Sequence, residues 1–195
     1  MSRFLNFIFR FISTVFILPK RIMFFIVSEN KICRLKGVKI LSPSITTGKG
    51  VITFGKGSII GVMNSPRYFS SYNYFDSRSS SSVISIGKNC IINNNVSIIS
   101  EFTNIDIGDD VLIGFDVNIV DSDFHQLEKD KRRTGIPKSK SIKICNNVFI
   151  GSNVSILKGV SIGENSVIGM GAVVVNDIPP NSIAAGNPAK VIRNI

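Results

Sequence analysis

Aliphatic side chains recur every six residues along the chain from residue 86 onward, with polar residues, glycine or asparagine between them. The series is Ile86, Ile92, Ile98, then Ile107, Ile113, Ile119, then Ile144, Ile150, Ile156, Ile162, Ile168 and Val174. A period of six fits neither the period of an α-helix nor the alternation of a half-buried strand. It is typical of a parallel β-helix, in which each hexapeptide supplies one short strand and one corner. The sequence therefore predicts an all-β fold with a dry interior of stacked aliphatic side chains.

The repeat is interrupted in three places. Weak traces of it precede residue 64, and the polar stretch 64–82 is expected to be a surface loop. Ile98 and Ile107 are nine residues apart, so three extra residues bulge there. Ile119 and Ile144 are 25 residues apart, which fits one coil plus seven residues or one hexapeptide plus nineteen. The second is favoured because 121–141 carries no repeat, and it predicts an extruded loop, a feature that is usually functional on a regular solenoid.

The N-terminal segment has a different pattern. Polar residues recur at helical spacing within an apolar stretch at Arg3, Asn6, Arg10, Ser13, Lys20 and Arg21. The opposite face is apolar, with Phe4, Leu5, Phe7, Ile8, Phe11, Ile12, Val15, Phe16 and Leu18. This pattern predicts an amphipathic helix that lies in a membrane interface, with its cations toward anionic lipid headgroups. The alternative is a helix that covers the end of the fold or packs on a partner chain. We expect this basic segment to occupy 1–36 and the β-helix 37–195.

Charge and composition argue against some classes of partner and site. The formal net charge is +10 over 195 residues. Residues 1–39 hold eight basic residues and one acid, a net of +7, and residues 129–143 hold seven and one, a net of +6. Two local clusters on a slightly acidic body do not resemble a nucleic-acid surface, so no nucleic-acid partner is expected. A single histidine and three cysteines without a C-x-x-C pair predict no metal site and reduced thiols.

Several stretches match a known family of enzymes. They are IGDDVLIG at 107–114, DSDFH at 121–125, NVFIGS at 147–152, ILKGVSIG at 156–163 and DIPPNSIAAGNPAKVIR at 177–193. With the repeat, this text resembles the hexapeptide-repeat acyltransferases of the left-handed β-helix superfamily. The most similar branch contains the maltose and galactoside acetyltransferases and the O-acetyltransferases of bacterial surface polysaccharides.

The resemblance implies a left-handed parallel β-helix and a homotrimer, with acetyl-CoA bound between neighbouring prisms. It implies an O-acetyltransferase that modifies a sugar hydroxyl of a bacterial surface polysaccharide (capsule, O-antigen or exopolysaccharide) by direct transfer. With the amphipathic segment, it suggests a cytoplasmic enzyme at the inner face of the inner membrane, with a glycan or lipid-linked saccharide as acceptor. The alternatives are an N-acetyltransferase for an amino sugar or its nucleotide, and a non-catalytic scaffold.

The expected catalytic residues lie in and near the loop. His125 is the only histidine, stands in the family's catalytic position, and is the expected general base. Asp123 or Asp121 is expected to orient the imidazole, unless both carboxylates only cap turns or offset nearby arginines. By the resemblance, Asn93 contacts the acceptor or intermediate, unless it is an ordinary corner asparagine. Glu101 falls on an acceptor-binding position.

The remaining expected contacts concern the acceptor and the cofactor. The basic loop residues Arg132 and Arg133 are expected to bind an acidic saccharide, a pyrophosphate or CoA. The residues matched to the cofactor site are Phe149, Ser152, Gly171, Ala172, Asn176, Lys190 and Arg193. Phe149 replaces the family's common tryptophan, and Asn176 replaces a common lysine. Lys190 and Arg193 can still neutralise phosphate, unless they are only solvated surface charges. Cys145 is expected to be structural.

Overall fold

A computed structural model describes residues 3–30 and 33–195. The chain begins with helix α1 (Arg3–Ile26). The strands that follow are, in chain order, β1 (Cys33–Arg34), β2 (Lys39–Ile40), β3 (Ser44–Thr47), β4 (Val51–Phe54), β5 (Ile59–Ile60), β6 (Asn73–Ser77), β7 (Val83–Ile86), β8 (Ile91–Ile92), β9 (Ser97–Ser100), β10 (Asn104–Ile107), β11 (Leu112–Ile113), β12 (Asn118–Val120), β13 (Ile142–Ile144), β14 (Phe149–Ile150), β15 (Ser155–Ile156), β16 (Ser161–Ile162), β17 (Val167–Ile168), β18 (Val173–Val174), β19 (Ser182–Ala185) and β20 (Lys190–Asn194).

The described strands form three sheets, which are the sides of a triangular prism. Sheet A has the order β1-β4-β7-β10-β13-β16, and sheet B has the order β2-β5-β8-β11-β14-β17-β19-β20. Sheet C has the order β3-β6-β9-β12-β15-β18. From β1 to β18, successive strands belong to sheets A, B and C in turn, and β19 and β20 both join sheet B. Neighbouring strands are parallel except for β19 and β20. This is the parallel β-helix that the six-residue period predicts.

The core is the stack of inward-facing aliphatic residues. Ile113 pairs with Ile150, and Ile150 pairs with Ile168 on the next coil, eighteen residues later. The repeat isoleucines are almost completely buried, and they form one continuous cluster along the prism. Apolar burial contributes about 25 cal/mol per Å², so this stack supplies much of the stability.

Asparagines at the corners between sheets A and B form a ladder along the prism. Asn147, Asn165 and Asn181 have positive φ angles of 54°, 60° and 53°. The side-chain amide of Asn147 donates to Oδ1 of Asn165 at 2.9 Å, and the amide of Asn165 donates to Oδ1 of Asn181 at 2.9 Å. Asparagine tolerates left-handed backbone better than other residues with a Cβ, so its presence at these corners has a direct conformational cause.

Two of the three breaks in the repeat are insertions at one edge of the prism, where sheet C strands turn into sheet A strands (the C–A corner). Ile86 pairs with Ile107, and the extra residues bulge at 101–103. Ile107 pairs with Ile144, so the coil between them contains the whole of 121–141. The extruded loop is therefore present, and the preference for one hexapeptide plus nineteen residues is confirmed.

The expectation of a surface loop over 64–82 is wrong in part. Strand β6 lies inside this stretch and pairs with β3 and β9. Phe75 takes the inward position of an aliphatic and is fully buried. The polar neighbours are satisfied internally, with Asn73 Nδ2 donating to Ser42 Oγ at 3.0 Å and Ser77 Oγ donating to the Ser82 carbonyl at 3.0 Å. The six-residue pattern did not predict β6 for two reasons. The insertion at 61–72 shifts the spacing of the repeat, and the inward-facing polar side chains form hydrogen bonds inside the protein.

Helix α1 packs its polar side against the β-helix. Ser13 and Ile17 are buried, and Lys20 Nζ donates to the Phe69 carbonyl at 3.0 Å. The ring of Phe24 lies 4.9 Å from that of Tyr72. After the helix, the Ser28 hydroxyl accepts from the Thr46 N–H of β3 at 3.1 Å. The side chains of Arg3, Phe4, Leu5, Asn6 and Arg10, which carried part of the predicted pattern, lie outside the described structure.

The opposite side of α1 is apolar and exposed. Its exposed large residues are Phe7, Phe11, Ile12, Val15, Phe16, Leu18, Ile22, Met23, Phe25 and Ile26. The helix is thus amphipathic as predicted, but the side that meets the body is the polar one. Among the described residues, no helix is both long and apolar enough to cross a bilayer. The first strand of the β-helix begins at Cys33, within the segment expected to precede it.

Candidate functional site

The extruded loop is closed at its base by backbone pairing. Ser122 and Ser139 form an antiparallel bridge, and the Asp123 N–H donates to the Lys138 carbonyl at 3.1 Å. The Lys140 N–H donates to the Asp121 carbonyl at 2.9 Å. The loop therefore leaves the C–A corner as a fixed stem, and His125 follows directly after that stem.

His125 is exposed, and one ring nitrogen has a partner within the loop. Its Nδ1 lies 3.2 Å from the carbonyl oxygen of Arg132. A carbonyl can only accept a hydrogen bond, so this contact requires a proton on Nδ1 of the neutral ring. That tautomer leaves the lone pair on Nε2, which can accept a proton from a bound hydroxyl.

Asp121 does not orient the imidazole. Its carboxylate is fully buried and accepts from the Glu101 N–H at 2.7 Å, the Thr103 N–H at 3.0 Å and the Thr103 hydroxyl at 2.7 Å. Ser100 Oγ and the Phe102 N–H donate to it as well, at 3.1 and 3.4 Å. The carboxylate caps the bulge at 101–103, so the expectation of a catalytic contact is corrected in favour of the turn-capping alternative.

Asp123 has a cationic partner other than His125. Its carboxylate forms an ion pair with Lys158 Nζ, and both side chains are largely buried. This corrects the expectation that Asp123 holds the imidazole, because the Arg132 carbonyl takes that place. Lys158 was not singled out from the sequence, although it lies at the C–A corner of the next coil inside a family-like motif. The pair ties the stem of the loop to that coil.

A second network, also missed from the sequence, connects Glu101 to the loop. Arg78 donates to Asp76 at 2.9 Å and to Glu101 at 2.8 Å, and its guanidinium lies 4.9 Å from the centre of the Phe124 ring. Burial lowers the pKa of Arg78, but the hydrogen bonds to both carboxylates outweigh it and raise the pKa. Phe124 has a φ of 58°, in the left-handed region, directly before His125. The network thus places Glu101 on the same corner as His125.

The loop arginines are both exposed. Arg132 Nη2 donates to the Leu127 carbonyl at 3.2 Å, while its own carbonyl contacts His125. Arg132 therefore shapes the loop with its backbone and its side chain. Arg133 presents its charge to solvent. Both remain available to a charged ligand at the mouth of the loop.

Asn93 lies at a different corner from His125. It stands where sheet B strands turn into sheet C strands (the B–C corner), and its Oδ1 accepts from the Asn94 N–H at 2.8 Å. Strand β9 has four residues and lies between this corner and Glu101, so at about 3.3 Å per residue it separates the two by at least about 13 Å. One protomer therefore does not bring Asn93 next to His125. The neighbouring Asn94 is buried and holds the insertion at 61–72 through the Val62 N–H at 3.1 Å and the Pro66 carbonyl at 2.9 Å.

The expected cofactor residues occupy two corners and one face. Ser152 and Gly171 stack at the B–C corner, where the Gly171 N–H donates to the Ser152 carbonyl at 2.9 Å. Ala172 is fully buried, and its carbonyl accepts from the Ser155 N–H at 2.9 Å, so its own groups are already engaged. Phe149 points outward from sheet B and is 47% exposed. Asn176 lies at the C–A corner and is exposed.

Lys190 and Arg193 share one side of the hairpin made by β19 and β20. Residues three apart on a regular strand point to opposite sides, but the pairing has a register shift between Ile183 and Ala184. Lys190 pairs with Ala185 and Arg193 with Ile183, which are two residues apart and face outward. The irregularity therefore places both cations on the outward side of sheet B, near Phe149. Sequence spacing alone predicts the opposite.

The structure describes the side chains of two cysteines, Cys90 and Cys145. Cys90 is fully buried, and burial raises the pKa of its thiol. Cys145 is a free thiol at a half-buried position. Within the described residues, no three His, Cys, Asp or Glu side chains are grouped so that they could hold a metal ion.

Comparison with known proteins identifies the repeat. Residues 141–176 match the family model "Bacterial transferase hexapeptide (six repeats)", and residues 79–100 match "Hexapeptide repeat of succinyl-transferase". The galactoside O-acetyltransferase of Escherichia coli K12 is 47% identical over 112 residues, covering 57% of this chain and 54% of the relative. A putative acetyltransferase of Schizosaccharomyces pombe is 44% identical over 112 residues, covering 57% and 53%. The chain spans about half the length of the curated relatives that it matches.

Solved structures agree. A galactoside acetyltransferase in complex with coenzyme A is 28% identical with a TM-score of 0.51, covering 100% of this chain and 84% of that one. A hexapeptide-repeat acetyltransferase of Vibrio cholerae, complexed with acetyl-CoA, is 27% identical with a TM-score of 0.52, covering 82% and 72%. With the three parallel sheets, these matches confirm the predicted left-handed parallel β-helix.

Proposed function

The chain belongs to the hexapeptide-repeat acyltransferase superfamily, and from this premise we propose that it transfers an acetyl group from acetyl-CoA to a sugar hydroxyl of a bacterial surface polysaccharide. The observation that carries the proposal is the placement of His125. It stands exposed directly after the stem of the extruded loop, and its Nδ1 lies 3.2 Å from the Arg132 carbonyl oxygen. The similarity to a galactoside O-acetyltransferase supports a sugar as the acceptor. The similarity to a structure with bound coenzyme A supports acetyl-CoA as the donor.

In the proposed reaction, Nε2 of His125 removes the proton of the acceptor hydroxyl as its oxygen attacks the thioester carbonyl. The tetrahedral intermediate then collapses, the C–S bond breaks, and the CoA thiolate leaves with the proton that His125 holds. Transfer is direct, within a complex of enzyme, donor and acceptor. Phe149 and the small residues of the B–C corner bind the pantetheine arm, and Lys190 and Arg193 neutralise phosphate.

We propose that the enzyme is a homotrimer with its sites between subunits. The outward residues of sheet B form an apolar column of Ile59, Ile91, Leu112, Phe149, Val167 and Ile183. The outward residues of sheet A at the matching coils are polar, as at Ser85, Asp106 and Lys143. An exposed apolar column on one face favours burial against another subunit, and a head-to-tail contact that closes gives a ring. Such a ring can combine the C–A corner of one subunit with the B–C corner of the next.

The test of the proposed reaction is an acceptor panel. We expect the purified protein to release CoA from acetyl-CoA with hydroxyl-only glycans, and more slowly with amino sugars or amino-sugar nucleotides. Initial rates of thiol release at fixed acetyl-CoA provide the measurement. A preference for the amine would replace the proposal with N-acetylation, and an absence of acetyl-CoA binding would favour the scaffold.

We also propose that the trimer binds the inner face of the membrane through α1. The polar side of α1 is occupied by the β-helix, so its exposed apolar side is free to enter the interface, as at Phe16 with 69% exposure. Residues 33–61, in the first two coils, contain no acidic residue, and Lys36, Lys39, Lys49 and Lys56 are exposed there. These cations suit anionic headgroups beside the helix.

Replacement of two α1 aromatics should weaken this binding. Phe11→Ser with Phe16→Ser removes two exposed rings, and we expect at least about a tenfold loss of partitioning onto phosphatidylglycerol vesicles. Vesicle flotation measures the bound fraction, and Ile136→Ser, on the exposed loop, is the matched control. Unchanged flotation would contradict the proposal. A change in oligomer mass by light scattering would instead assign α1 to subunit packing.

A further inference from the structure

A shallow groove crosses the outward face of sheet C. Its volume is about 280 Å³. It is lined by Tyr72, Tyr74, Asn95, Ser97, Asp116 and Asn118. None of these residues belongs to the set expected from the sequence, and the groove lies toward the B–C corner, away from the His125 loop. No residue of this lining was given a role in the reaction proposed above.

The groove combines aromatic rings with two kinds of polar group. Some polar groups are fixed: Asp116 forms an ion pair with Arg67 at 3.2 Å, and the Tyr74 hydroxyl donates to Asp76 at 3.1 Å. Others are open, because among the described residues no hydrogen-bond partner is assigned to the Asn118 amide or the Ser97 and Tyr72 hydroxyls. The groove thus offers unsatisfied donors and acceptors beside a rigid polar frame.

The two tyrosines form an angled wall of the groove. Their ring centres are 6.5 Å apart with an interplanar angle of 79°. Burial raises the pKa of the Tyr74 hydroxyl, and the neighbouring Asp76 raises it further, so this hydroxyl stays protonated as a donor. Aromatic side chains with a polar tip suit ligands that have both apolar and hydroxylated surfaces.

The chemistry of the lining selects one class of ligand. The Asp116 carboxylate is balanced by Arg67, so the groove carries no surplus positive charge that would bind a phosphate or a nucleic acid. Amide, hydroxyl and aromatic groups together match a neutral sugar, which presents C–H surfaces between its hydroxyls. We propose that the groove is a saccharide subsite that holds a neighbouring sugar unit of the acceptor chain while another unit is acetylated.

The position of the groove fits an extended acceptor. Asn118 begins β12, and the same chain continues through Val120 into the stem that carries His125. The ion pair of Arg78 with Glu101 occupies the other end of the same sheet. An acceptor that follows sheet C would therefore pass from the tyrosine wall toward Glu101 and the histidine. This inference rests on the proposed function, since it assigns the substrate of the same enzyme to an oligosaccharide or polymer.

The test separates longer acceptors from single sugars. The probes are glucose, maltose and maltotriose with acetyl-CoA, and the variant is Asn118→Ala. Its matched control is Asn104→Ala, because Asn104 is the exposed first residue of β10 in the same coil, on sheet A. Loss of one neutral hydrogen bond should raise the KM for maltotriose about 3–10-fold, with kcat and the KM for glucose unchanged. The control should behave as wild type.

A second variant blocks the groove, and direct binding separates this inference from the proposed reaction. Ser97→Trp places a bulky ring over the groove, and it should abolish maltotriose binding measured by calorimetry without acetyl-CoA. If maltotriose binds and Ser97→Trp abolishes its binding while no glycan is acetylated, the result supports the saccharide subsite and contradicts the proposed reaction. If glycans are acetylated but neither variant changes maltotriose binding or its KM, the proposal of a saccharide subsite is contradicted. An equal change in the KM values for glucose and maltotriose also contradicts it.

Discussion

Replacement of His125 by alanine should reduce acetyl transfer by about 10²–10⁴-fold, the usual contribution of a positioned general base. The loss should fall on kcat, because the one hydrogen bond of the exposed imidazole within the described protein goes to the Arg132 carbonyl and not to a residue expected to bind CoA. CoA affinity measured by calorimetry should therefore match that of the wild type.

His125→Asn makes this test sharper. The asparagine amide can donate to the Arg132 carbonyl in place of Nδ1–H, so the loop keeps its internal contact while the base is removed. Both variants should be equally slow, and Leu127→Ala should retain activity because its side chain is exposed and its carbonyl still accepts from Arg132. Full activity in His125→Asn would exclude His125 as the base.

Replacement of Asp121 by alanine should have the largest effect on stability. The buried carboxylate accepts from five donors in residues 100–103, and its removal leaves most of them without a partner. Hydrogen bonds to a charged group contribute about 1.5–3 kcal/mol each and are not additive, so we expect the free energy of unfolding to fall by about 3–5 kcal/mol. Urea unfolding at one fixed protein concentration measures this change.

The matched variants separate the capping role from a catalytic one. Asp121→Asn keeps one accepting oxygen and should lose less stability than alanine. Asp130→Asn, on the exposed loop, should change the free energy of unfolding by less than about 0.5 kcal/mol. If Asp121→Asn were as stable as wild type yet inactive, Asp121 would act in the reaction, and the assignment to the 101–103 bulge would be wrong.

The sequence predicted the fold well because each coil repeats the same local pattern. Ile150 and Ile168 differ by the period of one coil and are in fact paired neighbours. The stretch 64–82 defeated the same reasoning, since Phe75 replaces the aliphatic and buried polar groups such as Asn73 are satisfied by contacts far along the chain. Hydrogen bonds between residues far apart in the chain produce no periodic pattern in the sequence.

The sequence predicts candidate residues for the site, but it does not predict the contacts that those residues make. Motif similarity pointed to His125, whereas the partners of Asp121 and Asp123 depend on how the bulge and Lys158 meet the loop. The outward side shared by Lys190 and Arg193 depends on an irregularity in strand pairing that the spacing does not reveal. Arg78 was not predicted because it directly follows β6, a strand whose polar composition led us to expect a surface loop.

The most direct measurement of the proposed reaction is the type of bond formed on the acceptor. The enzyme is incubated with acetyl-CoA labelled in the acetyl group and with an acceptor that carries both a free amine and free hydroxyls, and the labelled product is treated with mild alkali. An acetyl ester is hydrolysed under these conditions, whereas an acetyl amide survives. We expect the label to be released by alkali, and to be absent from products of His125→Asn. Label that persists through the treatment would contradict O-acetylation.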